Sequence, residues 1–273
     1  MFQGYHFFDY KYQIPGYSGQ DYDGPGRWIY LGVSLFLVLV LTILFFKASH
    51  NAIRNYLRVL GIGLIAFYLT KTIWESYYDI ATGQGFNTGI LPFDTCSLIM
   101  YCAVLAGFNK GKIGEASAAW LATGGMVGGI SNLLFLRALI YYPFFTFGAF
   151  YSMIWHFLMV FTAVLLFASG YVEARLRTVI LGSIVHFAFS LVVIPLDYIF
   201  QWDFMLYYNA GGVPLIEGLG EQWAKQKLHF LTTLTMMAAY VVTFAFVTYS
   251  AKGLILLGRL LRRAPAQKEG QTK

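Results

Sequence analysis

The chain has 273 residues, 58% of them apolar, 19% aromatic and 12% charged, with a mean hydropathy of +0.60 and a formal net charge of +6. So small a charged fraction excludes a soluble globular domain, in which about a quarter of residues are charged, and the apolar surplus excludes a disordered chain. A transmembrane β-barrel is excluded too: its strands alternate apolar and polar residues, whereas the uncharged runs here approach the ~20 residues that cross a bilayer as helix. What remains is an all-α polytopic membrane bundle.

Seven spans are predicted. Residues 1–27 precede them as an aromatic and Gly-rich segment with no charged start followed by an apolar core, so it is not read as a signal peptide. Its rings suit the headgroup level. The first span, 28–46, is uncharged and is stopped by Lys47. The second, 56–74, carries Arg58 and Lys71 near its ends, where long side chains snorkel to the headgroups. The third runs over 90–108 and the fourth over 116–136. In the fourth, Gly124, Gly125, Gly128 and Gly129 form small-xxx-small pairs that let a neighbouring helix approach closely. The fifth covers 147–169, the sixth 178–200 with Pro195 near its end, and the seventh 228–251, before a basic tail over 252–273.

Lys and Arg are counted loop by loop to orient the bundle, because cytoplasmic segments carry the excess. One alternating set, from Lys47 to the tail, holds thirteen of the 19, and the other holds six. The N-terminus is therefore expected outside and the C-terminus in the cytoplasm. The net positive charge belongs to that surplus, so the expected partner is anionic membrane lipid and not nucleic acid. Arg259, Arg262 and Arg263 suit a helix end resting on the inner leaflet.

Neither the two cysteines nor the five histidines make a metal signature, and no cofactor is expected. The informative residues are polar groups inside the spans, which are expensive in hydrocarbon and should face the bundle interior or a wet cavity. Asp94, Thr95 and Cys96 fall within about 10 Å of the outer end of the third span at 1.5 Å per residue. Ser152 and His156 on the fifth, Asn132 on the fourth, Asp197 on the sixth and the i,i+4 pair Lys71 and Glu75 on the second fall in the same outer half. His186 and Asp197, eleven residues apart, share one face of the sixth helix. A shared outer cavity is expected.

The chemistry to test there is a nucleophile with a base: Cys96, or Thr95 in its place, attacking a carbonyl while His156 takes the proton. Asn132 or amides near Ser97 would stabilise the oxyanion. Local satisfaction competes with this, His156 bonding back to the Ser152 carbonyl and Lys71 pairing with Glu75. So does a different class, a carrier or binding protein for a small polar or amphipathic solute, recognised by Asp94, Lys71, Glu75, His186 and Asp197. A sulfur-to-imidazole distance of about 4 Å or less favours the first reading over the second.

The segment Leu91-Pro92-Phe93-Asp94-Thr95-Cys96-Ser97, the Gly-rich fourth span, Trp155-His156-Phe157 and the late Asp203-Phe204-Met205 stretch together resemble the bacterial YwaF-like family of integral membrane proteins. The likeness covers most of the chain from Trp28 to Tyr249, with Asp94 standing where that family's Pro-x-His-x-Cys pattern has His. The resemblance implies a distant relation to the vertebrate membrane acyltransferase of polyunsaturated ether phospholipids and to the androgen-induced lipid hydrolases. It implies Cys96 as nucleophile and His156 as base in an acyltransferase or hydrolase of the bacterial cytoplasmic membrane, with a lipid acyl substrate.

Overall fold

The computed structural model describes residues 6–11, 14, 16–19, 21–83, 85, 88–211, 213 and 216–269, with side chains as far as Gly258. Among them the architecture is entirely helical. In chain order the helices are α1 (Pro25–Phe45), α2 (His50–Ala81), α3 (Leu98–Phe108), α4 (Lys112–Phe135), α5 (Ala138–Tyr141), α6 (Phe147–Ala168), α7 (Leu176–Phe200), α8 (Glu217–Lys225) and α9 (His229–Glu269). Six are long and apolar enough to cross a membrane, and the stretch Thr95–Phe108 is a shorter seventh candidate.

The bilayer shows in what faces outward. Phe36, Ile43 and Leu44 of α1, Val59 and Ile73 of α2, Leu191 and Ile199 of α7 and Phe246 of α9 are all at least 60% exposed. Apolar faces of that extent need hydrocarbon against them, because water would leave them as a large unpaid hydrophobic surface. At 41 residues α9 runs about 60 Å, twice the hydrocarbon thickness, so it projects well past the membrane. The side chains of Arg259, Arg262 and Arg263 and the whole of the first five residues lie outside the described residues.

α4 is the centre of the bundle, packed against α6, α7, α3 and α9. Its glycines explain how. A Cβ on Gly129 would stand 2.9 Å from Met159 Cβ and 3.0 Å from the His156 carbonyl oxygen, so the α4 and α6 backbones meet only because that position has no side chain. Gly182 does the same for α7 against Thr123, and Gly61 and Gly107 for α2 against α3.

One predicted element is different. The third span was expected as a continuous helix over 90–108, whereas the chain makes a 3₁₀ turn at Thr88–Ile90, runs irregularly, makes a second at Thr95–Ser97 and only then enters α3. The cause is local. Pro92 disfavours helical backbone at the residue before it and lacks an amide for the ladder, and Asp94 is extended at φ −65°, ψ 151°. Irregular backbone at membrane depth is tolerated where it lines a cavity. The two short helices α5 and α8 were not anticipated.

Candidate functional site

A cavity of about 570 Å³ opens at the end of the bundle where α2 and α4 finish and α6 and α9 begin. Its polar wall is the broken segment before α3. Because Thr95–Ser97 is a tight turn rather than part of a long helix, Cys96 is presented at a helix start facing α4 and α6. Cys96 is half-buried, and both it and Cys102 are free thiols.

Facing the sulfur is an imidazole with a defined tautomer. His156 Nδ1 lies 2.7 Å from the Ser152 carbonyl oxygen. A carbonyl can only accept, so in the neutral ring Nδ1 carries the hydrogen and Nε2 the lone pair. That Nε2 is 3.3 Å from Cys96 Sγ, within reach of the thiol proton. The local bond and the cross-helix bond therefore coexist, one on each ring nitrogen. The Ser152 hydroxyl adds a longer contact to Nδ1 at 3.4 Å.

Two further groups hold the thiol. Trp155 Nε1 donates to the Cys96 carbonyl at 3.1 Å, and Asn132 Nδ2 is 3.5 Å from Cys96 Sγ while donating to the Gly128 carbonyl at 3.1 Å. The Ser97 amide, expected as an oxyanion donor, is instead committed to the Asp94 carbonyl at 2.9 Å. Thr95 turns away from the imidazole: its hydroxyl meets Tyr240 OH at 3.0 Å, and that phenol donates to the Met205 carbonyl at 3.3 Å.

Of the ten polar residues singled out in the spans, Lys71, Asp94, Thr95, Cys96, Asn132, Ser152 and His156 line this cavity. Glu75 lies behind Lys71, paired to it at 2.6 Å and accepting from Tyr142 OH at 3.4 Å. His186 and Asp197 face inward, as their shared helix face required, but neither reaches the cavity wall. His186 is fully enclosed between Trp120 Nε1 at 3.4 Å and Tyr207 OH at 3.1 Å. Asp197 accepts the Phe204 amide at 3.1 Å. Both support the 203–211 loop rather than a solute.

That loop and α9 supply what the polar-residue argument missed. Asp203 gathers the amides of Tyr208, Asn209 and Gly211 at 2.9–3.0 Å. The chain so folded carries Phe204, Leu206 and Ile216 to the cavity, where Met236 of α9 completes an apolar wall. Tyr240 had a signal, a polar group on the last span, but nothing in its own segment says that it meets Thr95.

The fold and site together define an integral membrane protein with a thiol–imidazole pair beside a largely apolar cavity in its helical bundle. A comparison with protein families matches residues 22–255 to the TMEM164 family. The chain belongs to that family. No curated protein and no solved structure matches it.

Proposed function

We propose that the protein moves the acyl group of a membrane lipid ester, to water or to a lysolipid, through Cys96 and His156. The observation that carries this reading is the 3.3 Å approach of His156 Nε2 to Cys96 Sγ beside a cavity whose other wall is apolar.

In the first half-reaction the thiol proton passes to Nε2 as sulfur attacks the ester carbonyl carbon. The oxyanion that forms needs a donor; Asn132 Nδ2, beside the sulfur, is the side chain placed to give one. Collapse breaks the carbon–oxygen bond, the departing lysolipid oxygen takes the proton from Nε2, and a thioester remains on Cys96. In the second half-reaction Nε2 takes a proton from water or a lysolipid hydroxyl, whose oxygen attacks the thioester. The sulfur leaves and recovers that proton, so His156 ends neutral. Thr95, tied to Tyr240, plays no nucleophilic part.

The same proposal places the cavity in the outer half of a bacterial cytoplasmic membrane, from the loop-by-loop excess of Lys and Arg, and takes its substrate class from the resemblance of the 91–97 and 155–157 segments. Of the charges that suited a carrier, Lys71 pairs with Glu75 and Asp197 accepts the Phe204 amide, while Asp94 lines the cavity beside the thiol–imidazole pair.

The test is reconstitution of wild type, Cys96→Ala and His156→Ala with phospholipid labelled in its acyl chain. Turnover is expected in wild type and a loss of about 10²-fold or more in each variant, the scale of a missing acid–base or nucleophilic group. Equal turnover in all three overturns the assignment.

A further inference from the structure

A second cavity, of about 330 Å³, lies at the opposite end of the bundle, where α2, α4 and α7 begin and α6 has just ended. Its lining is basic from three separate stretches of chain: Arg54 on α2, Lys110 in the turn before α4, and Arg175 and Arg177 at the start of α7, with His50, also on α2, stacked edge-on against Tyr171 at 5.2 Å.

Two of these charges are already answered. Arg177 pairs with Glu115 at 2.7 Å and Arg175 with Glu173 at 2.9 Å. Arg54 and Lys110 have no carboxylate among the described residues, and Arg54 Nε is shielded from solvent without a hydrogen-bond acceptor. Both Arg54 and Lys110 line this space, and an anion in it would pair with charges that no carboxylate answers.

The backbone adds to the same demand. Three helices of 24 residues or more begin at this cavity, and neither α4 nor α7 has a side-chain cap on its first amides. Those ends carry the positive pole of the helix dipole, where cations are unfavourable and anions favoured. Glu115, in the first turn of α4, and Glu173, before α7, answer Arg177 and Arg175, which leaves Arg54 and Lys110 as the surplus charge at these positive poles.

We propose that this cavity binds a phosphate group, with Arg54 and Lys110 as its charged ligands and the uncapped amides of α4 and α7 as neutral donors. The general basic surplus of this face attracts anionic lipid diffusely. The cavity instead holds one phosphate at a fixed place, either the headgroup of an anionic phospholipid or a soluble phosphate ester. It is separate from the Cys96 cavity, so its occupancy is independent of the acyl-transfer reading.

The full-length protein is placed in phosphatidylcholine nanodiscs doped with phosphatidylglycerol, and retained lipid is counted by native mass spectrometry. In detergent, glycerol 1-phosphate is titrated against the melting temperature. Wild type is expected to retain one phosphatidylglycerol, and Arg54→Gln and Lys110→Gln each to weaken retention by about 10-fold or more, the worth of a charge-assisted contact. Lys47→Gln, on the same face but outside the cavity, is expected to change nothing, and Arg54→Lys separates loss of charge from loss of fold. A melting shift with glycerol 1-phosphate that both Gln variants abolish, without lipid retention, assigns the site to a soluble ester. Equal losses in Lys47→Gln and the cavity variants, or neither retention nor shift in wild type, overturn the proposal.

Discussion

Trp155 Nε1 donates to the main-chain carbonyl of Cys96 at 3.1 Å, and the next residue along α6, His156, reaches the sulfur of the same cysteine. One helix turn thus grips Cys96 by its backbone and its side chain together. The backbone grip matters because the segment holding Cys96 is not a continuous helix and has only the single 3₁₀ turn Thr95–Ser97 before α3. Holding a nucleophile within a few tenths of an ångström of its base is what turns a contact into a reactive geometry.

Trp155→Phe keeps the ring, which stacks on Tyr151 at a centroid distance of 5.4 Å, and removes only the donor. On the acyl-transfer reading its kcat should fall about 10-fold with KM little changed, and stability should fall by about 1 kcal/mol. A fall confined to KM would mean that the indole contacts substrate instead of positioning the thiol.

The two thiols should differ in reactivity. Cys96 lines the cavity, whereas Cys102 is 1% exposed within the core between α2 and α4. A small maleimide should label wild type once, at Cys96, and leave Cys96→Ala unlabelled. His156→Gln should slow that labelling, because the proton acceptor beside the sulfur is lost. Mass spectrometry of the peptides decides it, and labelling at Cys102 in folded protein would contradict the packing.

How much of this was legible in the residues divides along a physical line. That Cys96, Asn132 and His156 share a level follows from counting residues inward from span ends, since a helix rises uniformly. That a neighbouring helix approaches α4 closely was equally legible from the spacing of Gly124, Gly125, Gly128 and Gly129, though not that the neighbour is α6. The break before α3 was written in Pro92 but was overridden by the apolar run around it. Pairings such as Thr95 with Tyr240, or Trp120 and Tyr207 with His186, depend on how whole helices rotate against each other. No segment's own period records that rotation. The 203–211 loop is hidden for a related reason: Asp203 acts through amides, which carry no residue identity.

The glycine contacts of α4 separate tight positions from loose ones. An alanine at 129 would press on the His156 carbonyl and Met159 Cβ, neither of which can swing aside, while at 125 the nearest atom is the Met159 carbonyl at 3.7 Å. Gly129→Ala should lower stability by about 1–3 kcal/mol as an overpacked helix contact and should push His156 away from Cys96. Gly125→Ala should be neutral or slightly stabilising, because alanine is the better helix former. Thermal melts in one detergent compare the two directly, and similar melting temperatures would mean that α4 and α6 are not in the contact described.

His186 distinguishes structure from chemistry. It sits fully buried on α7, accepts from Trp120, bonds Tyr207 OH, and lies 4.0 Å in ring centroid from Tyr240. Tyr207 OH keeps its bond to Ser190 at 2.7 Å, but removing the imidazole leaves the Trp120 N–H without an acceptor and the Tyr207 oxygen without the N–H it accepts. His186→Ala should cost about 3 kcal/mol or more from the cavity and the orphaned groups, seen as a lower melting temperature and faster proteolysis of the 203–211 loop. On the acyl-transfer reading, the rate of thioester formation at Cys96 in the fraction that remains folded should be near that of wild type, since His186 does not reach that cavity. A variant of normal stability with abolished thioester formation would reverse this, making His186 part of the chemistry and the Trp120–Tyr207 enclosure a proton path rather than a brace.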